Sequence, residues 1–289
     1  MKVDFFIVGA PKAGTTSLYK YLHEHPEIHM SSKKEPDYFS DNELYSEGMY
    51  YGQNRINTLK KYHNLFGQAE LNSKKGEASV SYLFYKKVPA RIFQYNPNAK
   101  IIIMLRNPID RGFSHYLMDY RLGLVNDSFE NIVFNDQPTK KQKLFFQQYI
   151  QLGEYFGQVK RYFDVFAKEN ILIIDYDDFT QNLKHSVEKT YKFLGVDSTF
   201  EAQINKRHNI YKTPRNKMFR VIYSFVFIRR LFRFFFPLFF IDYINGILLR
   251  TNKKPVLSTS TRERLKHYFN NDINNLSAFL LKDFNKWTK

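Results

Sequence analysis

The chain has 289 residues and a formal net charge of +16 at pH 7. It contains no cysteine, which excludes disulfides and thiolate metal sites. With 43% hydrophobic and 25% charged residues, its composition is that of a folded protein and not of a disordered one. The positive charge fits an anionic partner such as nucleic acid, anionic lipid, a polyanionic glycan or a phosphorylated cofactor. Scattered lysines that only keep the protein soluble explain the charge equally well.

The N-terminal stretch MKVDFFIVGAPK lacks the pattern of a secretory signal. It carries an acid, Asp4, within its apolar run and leads directly into a glycine-containing loop, which leaves no hydrophobic region of useful length. No run of about 18 uncharged apolar residues occurs, so no transmembrane helix is predicted. We therefore expect a cytoplasmic protein. The eight histidines show no closely spaced metal-binding pattern, and no metal site is predicted.

Short apolar runs alternate with helical patterns along the first two thirds of the chain. Continuous apolar runs, typical of strands buried on both faces of a parallel sheet, occur at residues 4–9, 100–106 and 170–176, and GEASVSYLF (76–84) is a fourth candidate. Helical patterns are predicted at residues 15–23, 110–122, 155–169 and 178–194, the last ending at Gly195. This alternation implies right-handed βαβ units and a three-layer α/β fold, whose ligands bind at the carboxyl ends of the strands.

The stretch GAPKAGTTSL, residues 9–18, is close to a phosphate-binding P-loop. Gly9 and Gly14 have the P-loop spacing and two threonines follow, but the lysine lies inside the loop, at Lys12. A strand, a glycine turn and a helix together present backbone N–H groups and the helix dipole to an anion. The position of Lys12 predicts an ammonium over the bound phosphate. The alternative is an ordinary strand-to-helix turn with a threonine N-cap.

A second candidate phosphate site lies in IIIMLRNPIDRGFSHY. Arg106 ends a predicted strand, Pro108 is suited to the first position of a helix, and Ser114 follows within that helix. A guanidinium grips a phosphate bidentately, and a nearby serine donates to the same oxygens. A nucleoside triphosphatase is expected to end this strand in a carboxylate that helps to hold Mg²⁺. Together, the two stretches predict a site for two phosphate groups on one nucleotide, with no metal between them.

The last third of the chain has a different composition. Residues 215–250 are rich in phenylalanine and arginine. Three interpretations stay open: amphipathic helices on a membrane surface, a helical lid that holds an anionic glycan or lipid-linked acceptor, and a hydrophobic hairpin packed on the core or in a dimer interface. Further on, Ser260 and Glu263 predict a capping box at the start of a helix. The apolar face predicted for this helix contains Leu265, Tyr268, Phe269, Ile273, Leu276 and Leu280. With no internal repeat and no long linker, we expect one domain over residues 1–289, and the sequence leaves its oligomeric state open.

These motifs resemble those of sulfotransferases that use 3′-phosphoadenosine 5′-phosphosulfate (PAPS). Residues 9–18 resemble the 5′-phosphosulfate loop of that family, and residues 106–114 its 3′-phosphate motif, including the arginine-to-serine spacing. Further stretches resemble the branch that contains heparan sulfate sulfotransferases and their bacterial relatives. KKEPDYFS (33–40) is similar to the segment with the catalytic glutamate, GEASVSYLF to a strand of that branch, and LLKDFNKW (280–287) to its C-terminal tail.

The resemblance implies a three-layer P-loop-like fold with a helical C-terminal elaboration, and metal-free sulfuryl transfer to a hydroxyl or amine. The acceptor that it implies is a carbohydrate, as a glycan or a glycolipid. Glu35 is implied as the base, Lys12 as the main cation at the leaving oxygen, and Lys34 as an additional positive charge. The implied nucleotide-binding residues are Lys12, Ala13, Gly14, Thr15, Thr16, Ser17, Arg106, Ser114 and Arg215. Glu77, Ser79 and Tyr82 are expected to line the cleft, and Ala78 stands where some relatives have a second catalytic lysine.

Other functions stay open from the sequence alone. A P-loop kinase that uses ATP and Mg²⁺ is supported by Asp175, which ends an apolar run as a Walker-B acid does. A nucleic-acid-binding protein is supported by the charge and the many tyrosines, although no recognised module is visible and nucleic acid is not the expected partner. His23, His25 and His29 are alternatives to Glu35 because another branch of sulfotransferases uses a histidine base. A cytoplasmic protein that also contacts the inner face of the membrane through residues 215–250 is a further possibility.

Overall fold

Five parallel strands form the central sheet in the part of the chain that the structure describes. The structure is a computed structural model, and it describes residues 1–48, 55–67, 69–70, 72–203, 213–214, 249–250 and 255–288. In chain order the strands are β1 (Phe5–Gly9), β2 (Ile28–Met30), β3 (Lys74–Ala78), β4 (Lys100–Leu105) and β5 (Ile171–Asp175). Their order across the sheet is β2–β3–β1–β4–β5. An antiparallel pair joins β6 (Thr213–Pro214) to β7 (Leu249–Arg250) apart from this sheet.

Helices connect and cover the strands, as expected for a three-layer α/β fold. Within the described residues they are α1 (Thr15–Glu24), α2 (Asp41–Ser46), α3 (Leu59–His63), α4 (Val88–Tyr95), α5 (Pro108–Arg121), α6 (Phe129–Val133), α7 (Lys140–Tyr149), α8 (Tyr155–Phe163), α9 (Tyr176–Gln181), α10 (Leu183–Leu194) and α11 (Thr259–Leu280). Short 3₁₀ turns occur at Tyr38–Ser40, Asn64–Phe66, Gln151–Gly153, Lys168–Asn170 and Asn285–Trp287.

The predicted apolar strands are confirmed at β1, β4 and β5. Every residue of β1 is buried, and so is every residue of β4 after Lys100, because helices cover both faces of the sheet. The fourth candidate is confirmed in part: β3 begins at Lys74 and ends at Ala78, and the chain then turns. β2 was not predicted because it has only three residues, one of them the polar His29.

Gly76 lets β3 pack beside β1. It is paired in register with Phe5, and a Cβ atom at position 76 would lie 2.0 Å from the Phe5 ring. Any side chain there would displace a ring that is itself in the core. The glycine therefore fixes the spacing between the strand that leads into the candidate loop and the strand beside it.

Three helix predictions need correction. The pattern at residues 155–169 forms a shorter helix, α8, which ends at Phe163 and is followed by the 3₁₀ turn at Lys168–Asn170. The pattern at residues 178–194 forms two helices, α9 and α10, which are separated at Asn182, and α9 begins at Tyr176 because Asp175 caps it. The predicted capping box of Ser260 and Glu263 is wrong: α11 is capped by Ser258, whose Oγ accepts from the Thr261 N–H at 3.2 Å. The predicted end of α10 at Gly195 is confirmed by its left-handed conformation.

The apolar face of α11 and the C-terminal tail belong to the core. Leu265, Phe269, Ile273 and Leu276 are buried as predicted, whereas Tyr268 is half exposed. Beyond the helix, Trp287 is buried against Phe284 and Tyr155. The Trp287 carbonyl accepts from the side chain of Asn107 at 3.2 Å. The tail therefore supports the residue that follows Arg106.

The Phe/Arg-rich segment and the loop before it fall mostly outside the described residues. Of residues 206–250, the structure describes the backbone of Thr213–Pro214 and Leu249–Arg250. The three interpretations of residues 215–250 thus stay predictions. Among the residues that are described, we find no helix that combines the length and the apolar character needed to cross a membrane.

Candidate active site

The loop between β1 and α1 holds the first phosphate-site candidates. Its start is anchored to the neighbouring strand by the Ala10 N–H, which donates to the Met104 carbonyl at 2.7 Å. The N-cap of α1 is Gly14, in a left-handed conformation with φ of 90°, and not a threonine. A Cβ atom at Gly14 would lie 3.2 Å from the ring of Tyr176, so glycine suits this position both in conformation and in space.

The N-terminus of α1 is open to an anion. No side chain caps it, and the first N–H groups of a helix have no partner within the helix. Thr15 is buried, whereas Thr16 and Ser17 are partly exposed. The Ala13 and Ser17 N–H groups are already used within the loop, donating to Ala10 at 3.3 Å and to Gly14 at 2.9 Å. Ser17 therefore has its hydroxyl to offer a ligand, whereas the buried side chain of Ala13 has no polar atom.

Lys12 points from this loop toward α5. Its backbone is also left-handed, with φ of 65°, and its Nζ lies 3.4 Å from the Sδ of Met118. Burial lowers the pKa of Lys12 to about 8, with further lowering by the positive charges of Arg121 and Arg106. The negative charges of Asp119 and Glu35 act in the opposite direction on the same pKa. At pH 7 the ammonium still outnumbers the amine by about tenfold.

Arg106 connects the two predicted phosphate motifs. It follows β4, and its guanidinium donates to the Lys12 carbonyl at 3.0 Å. The same guanidinium lies over the ring of Tyr176, 4.6 Å from its centre, and the Tyr155 hydroxyl donates to the Arg106 carbonyl at 2.9 Å. Arg106 is therefore fixed at the end of its strand, directly beside the glycine loop.

Ser114 lies on α5, which Asn107 caps through its side-chain oxygen and which Pro108 opens as predicted. Ser114 and Met118 are four residues apart, so they lie on one side of the helix. Because Met118 contacts Lys12, helix periodicity predicts that Ser114 lies on the side of α5 that faces the loop, one turn nearer to the start of the helix. The structure thus brings Lys12 together with Arg106 and with α5, the helix that carries Ser114.

Glu35 lies in a loop at the end of β3, which is on the opposite side of β1 from β4 and Arg106. Its N–H donates to the Ala78 carbonyl at 2.9 Å, which holds it at the end of β3. Its carboxylate forms an ion pair with Lys34 and is 43% exposed. A surface glutamate that only pairs with a lysine would show this pair as well. The negative charge of Glu35 raises the pKa of Lys12, by less than that of Asp119 does.

Three residues that we expected to line the cleft lie beneath it instead. Glu77, Ser79 and Tyr82 are fully buried, which corrects that prediction. The physical reason is that β3 is an inner strand of the sheet, between β2 and β1, and that 3₁₀ and helical segments cover its end. Burial, which outweighs the nearby Tyr82 hydroxyl, raises the pKa of Glu77 to about 8.

Asp175 and His25 have structural partners. Asp175 pairs with Lys286 at 2.7 Å and accepts from the Asp177 N–H at 3.0 Å, so both carboxylate oxygens are engaged. His25 is the C-cap residue of α1; one ring nitrogen lies 2.8 Å from the Asp197 carbonyl and the other accepts from Glu27. Over the described ranges, no group of three or more histidine, cysteine, aspartate or glutamate residues has an arrangement that would hold a metal ion.

Two further features were not found from the sequence. Asp37 contacts the end of β3 through two serines, and His115 is buried on α5 with its pKa lowered by burial and by Arg111 and Lys12. Both residues lie within stretches that the sequence analysis singled out, KKEPDYFS and IIIMLRNPIDRGFSHY, but their roles depend on tertiary contacts that these stretches do not reveal. Arg215, the remaining predicted nucleotide-binding residue, lies outside the described residues.

Comparison with known proteins identifies the family to which this chain belongs. The family model for a sulfotransferase domain matches residues 2–223. Carbohydrate sulfotransferase 15 of Rattus norvegicus is 27% identical over 255 residues, covering 69% of this chain and 45% of that protein. The bifunctional heparan sulfate N-deacetylase/N-sulfotransferase 2 of Homo sapiens is 28% identical over 198 residues, covering 66% of this chain and 22% of that protein. The chain spans less than half the length of these curated relatives.

A solved structure is similar over the full length. The crystal structure of a sulfotransferase from Alicyclobacillus acidocaldarius matches with a TM-score of 0.72 and 27% identity, and the match covers 100% of both chains. The similarity to sulfotransferases therefore extends beyond the two phosphate motifs to the whole fold that the structure describes.

Proposed function

The chain belongs to the sulfotransferase-domain family, and from this premise we propose that it transfers the sulfuryl group of PAPS to a hydroxyl or amine of a carbohydrate. The observation that carries the proposal is the 3.0 Å hydrogen bond from Arg106 to the Lys12 carbonyl. This bond joins an open helix N-terminus to a guanidinium at the next strand end, which suits two phosphate groups on one nucleotide.

In this proposal the nucleotide is held at two points. The N-terminus of α1, with Gly14, Thr15, Thr16 and Ser17, binds the 5′-phosphosulfate, and Lys12 supplies its positive charge there. Arg106 and Ser114 bind the 3′-phosphate. Arg215 stays a predicted additional contact from a part of the chain that the structure does not describe.

The proposed reaction is an in-line displacement at sulfur. Glu35 accepts the proton of the acceptor hydroxyl or amine while the acceptor oxygen or nitrogen forms a bond to sulfur. The bond between sulfur and the bridging phosphate oxygen breaks at the same centre. Lys12 stabilises the negative charge that develops on the departing phosphate, and Lys34 adds positive charge beside the transferred group.

The names of the relatives support a carbohydrate acceptor, as a glycan or glycolipid. Against the kinase alternative, Asp175 has a structural role: it pairs with Lys286 and accepts from the N–H of Asp177 at the start of α9. A cytoplasmic location and membrane contact through residues 215–250 stay predictions of the sequence.

The nucleotide part of the proposal is tested by calorimetric titration with 3′-phosphoadenosine 5′-phosphate (PAP) and with AMP, which lacks the 3′-phosphate. Arg106→Ala is expected to weaken PAP binding by roughly 10- to 100-fold, as for the loss of a charge-assisted hydrogen bond. AMP binding should fall by a smaller factor, because Arg106→Ala also removes the hydrogen bond to the Lys12 carbonyl in the 5′-phosphate loop. Arg91→Ala, which removes an arginine paired with Glu43, serves as the control. Equal losses for both nucleotides would contradict the assignment of Arg106.

The transfer itself is tested with ³⁵S-labelled PAPS and N-desulfated heparan sulfate, which offers both amines and hydroxyls. The expected result is label in the polysaccharide without added Mg²⁺. Turnover of ATP that requires Mg²⁺, together with no binding of PAP, would replace this proposal by a kinase.

A further inference from the structure

The loop that carries Glu35 has an unusual backbone. Glu35 and Asp37 both adopt left-handed conformations, with φ of 59° and 56°. Residues other than glycine enter this region at a cost, although aspartate tolerates it better than most. Two such residues separated by one proline need neighbours that hold them in place.

Three hydrogen bonds hold this loop on the end of β3. The Glu35 N–H donates to the Ala78 carbonyl at 2.9 Å, and the Asp37 N–H donates to the Ser79 hydroxyl at 3.0 Å. The Ser81 hydroxyl donates to the Asp37 carboxylate at 2.7 Å. In the bond from Ser81 the acceptor is a side chain of the loop, that of Asp37, whereas the other two bonds are donated by backbone N–H groups of the loop.

Asp37 also interacts electrostatically with two other carboxylates. They are Glu35, which is partly exposed, and Glu77, which is fully buried on β3. Burial raises the pKa of Asp37 to about 6 against the hydrogen bond from Ser81, and the charge of Glu35 raises it further. The ammonium groups of Lys33 and Lys34 act in the opposite direction.

We propose that Asp37 is a positioning residue for Glu35. Its ionised carboxylate fixes the loop through Ser81 and places a negative charge near the proton that Glu35 accepts. Because a proton moves onto Glu35 during transfer, a fixed negative charge beside it stabilises the protonated product of that step. This inference rests on the proposed function, in which Glu35 is the base.

The inference has a consequence for the dependence of the rate on pH. Above about pH 6 Asp37 is ionised and supports Glu35; below its pKa of about 6 it is protonated and loses that charge. The rate should therefore fall as the pH decreases through 6. Asparagine at position 37 keeps an acceptor for Ser81 but has no charge to lose, so its rate should lack this step.

The experiment compares kcat and KM from pH 5 to pH 8 with ³⁵S-labelled PAPS and N-desulfated heparan sulfate. For Asp37→Asn we expect kcat at pH 7.5 to fall by about tenfold, with KM for PAPS nearly unchanged and no step near pH 6. For Ser81→Ala we expect a loss of about threefold with the step retained, because the charge stays while one hydrogen bond is removed.

Asp272→Asn is the matched control. Asp272 is another aspartate whose pKa burial raises to about 6, and it accepts from the Tyr155 and Phe156 N–H groups instead of contacting the Glu35 loop. This variant should keep the step near pH 6. PAP binding by calorimetry verifies that each variant is folded. If Asp37→Asn fails this check, Ser81→Ala decides: an unchanged kcat contradicts the inference and a loss supports it.

The outcomes separate the two proposals. An active wild-type protein whose Asp37→Asn variant keeps both the rate and the step overturns the role of Asp37 and leaves the proposed function intact. Absence of both transfer and PAP binding by the wild-type protein contradicts the proposed function and, with it, this inference.

Discussion

The two sides of the candidate site are built in opposite ways. The nucleotide side, defined as residues 10–17 with Arg106 and Ser114, collects cations and N–H groups at the ends of the adjacent strands β1 and β4. The acidic side, defined as Glu35, Asp37 and Glu77, collects carboxylates of increasing burial at the end of β3. The first side is suited to bind an anion, and the second to accept a proton.

The difference is also visible in how each side changes the pKa of its members. On the nucleotide side, burial and neighbouring cations lower the pKa of Lys12. A bound anion would favour the charged form of Lys12 and raise this pKa again. On the acidic side, burial raises the pKa values of Asp37 and Glu77. The charge of Glu35 opposes the lowering of the Lys12 pKa. In the proposed function, the sulfuryl group would have Glu35 as the base on one side and Lys12 as the leaving-group cation on the other.

Glu35→Gln should separate the two sides most strongly. It removes the proposed base and keeps the size of the side chain, so kcat should fall by about 10²- to 10⁴-fold. PAP affinity should be unchanged, because the nucleotide side is intact. Rates with ³⁵S-labelled PAPS and calorimetry with PAP measure the two effects. Glu47→Gln, at a glutamate that accepts from the Tyr85 hydroxyl, is the control. A loss of less than tenfold for Glu35→Gln would move the base to another group.

A substitution of Lys12 tests the opposite side. In the free protein the pKa of Lys12 is about 8, so the fraction of ammonium falls about tenfold from pH 8.5 to pH 9.5. PAP is fully ionised over this range, and its affinity should fall in parallel as the pH increases. Lys12→Arg keeps its charge at these pH values, so the affinity of this variant should be nearly constant. Calorimetry at several pH values measures both.

Lys12→Ala completes this test. It should bind PAP more weakly than the wild type at pH 7 and show no decrease at high pH. A decrease of the same size in all three proteins would assign the titration to a group other than Lys12 and would remove Lys12 from the nucleotide side.

The nucleotide side was predictable from the sequence because its parts are local. A buried strand, a turn and a helix follow one another at residues 4–24 and again at residues 100–121, and each leaves a recognisable pattern. Lys12 and Arg106 were found because each stands where such a strand ends. Their mutual contact could be expected from the rule that ligands bind at the carboxyl ends of parallel strands.

The acidic side was not predictable, except for Glu35, because its contacts join distant segments. Ser81 and Asp37 are 44 residues apart, and they meet because β3 lies between β2 and β1. The sequence indicated neither the short β2 nor this order. The burial of Glu77 depends on the same order, so a residue expected on the cleft wall lies within the core.

The start of α11 differs from its predicted position for a simpler reason: Ser258 and Ser260 offer competing caps two residues apart.

Glu77→Gln tests the buried end of the acidic side and should have the smallest effect, on stability. The pKa of Glu77 is about 8 in the folded protein and 4.5 when unperturbed. Between these values the folded state holds a proton that the unfolded state has lost, so this residue makes the free energy of unfolding decrease as the pH rises from 4.5 to 8. Glutamine does not ionise and removes this decrease. The melting temperatures of the two proteins should thus be closest at pH 5 and differ by a few degrees at pH 9, with Glu77→Gln the more stable.

Glu201→Gln is the control, since Lys184 lowers the pKa of Glu201 and burial plays no comparable part. If Glu77→Gln is instead less stable than the wild type at pH 9, the Glu77 carboxylate is ionised in the core and stabilised there. The acidic side would then stabilise a buried charge, as the nucleotide side does.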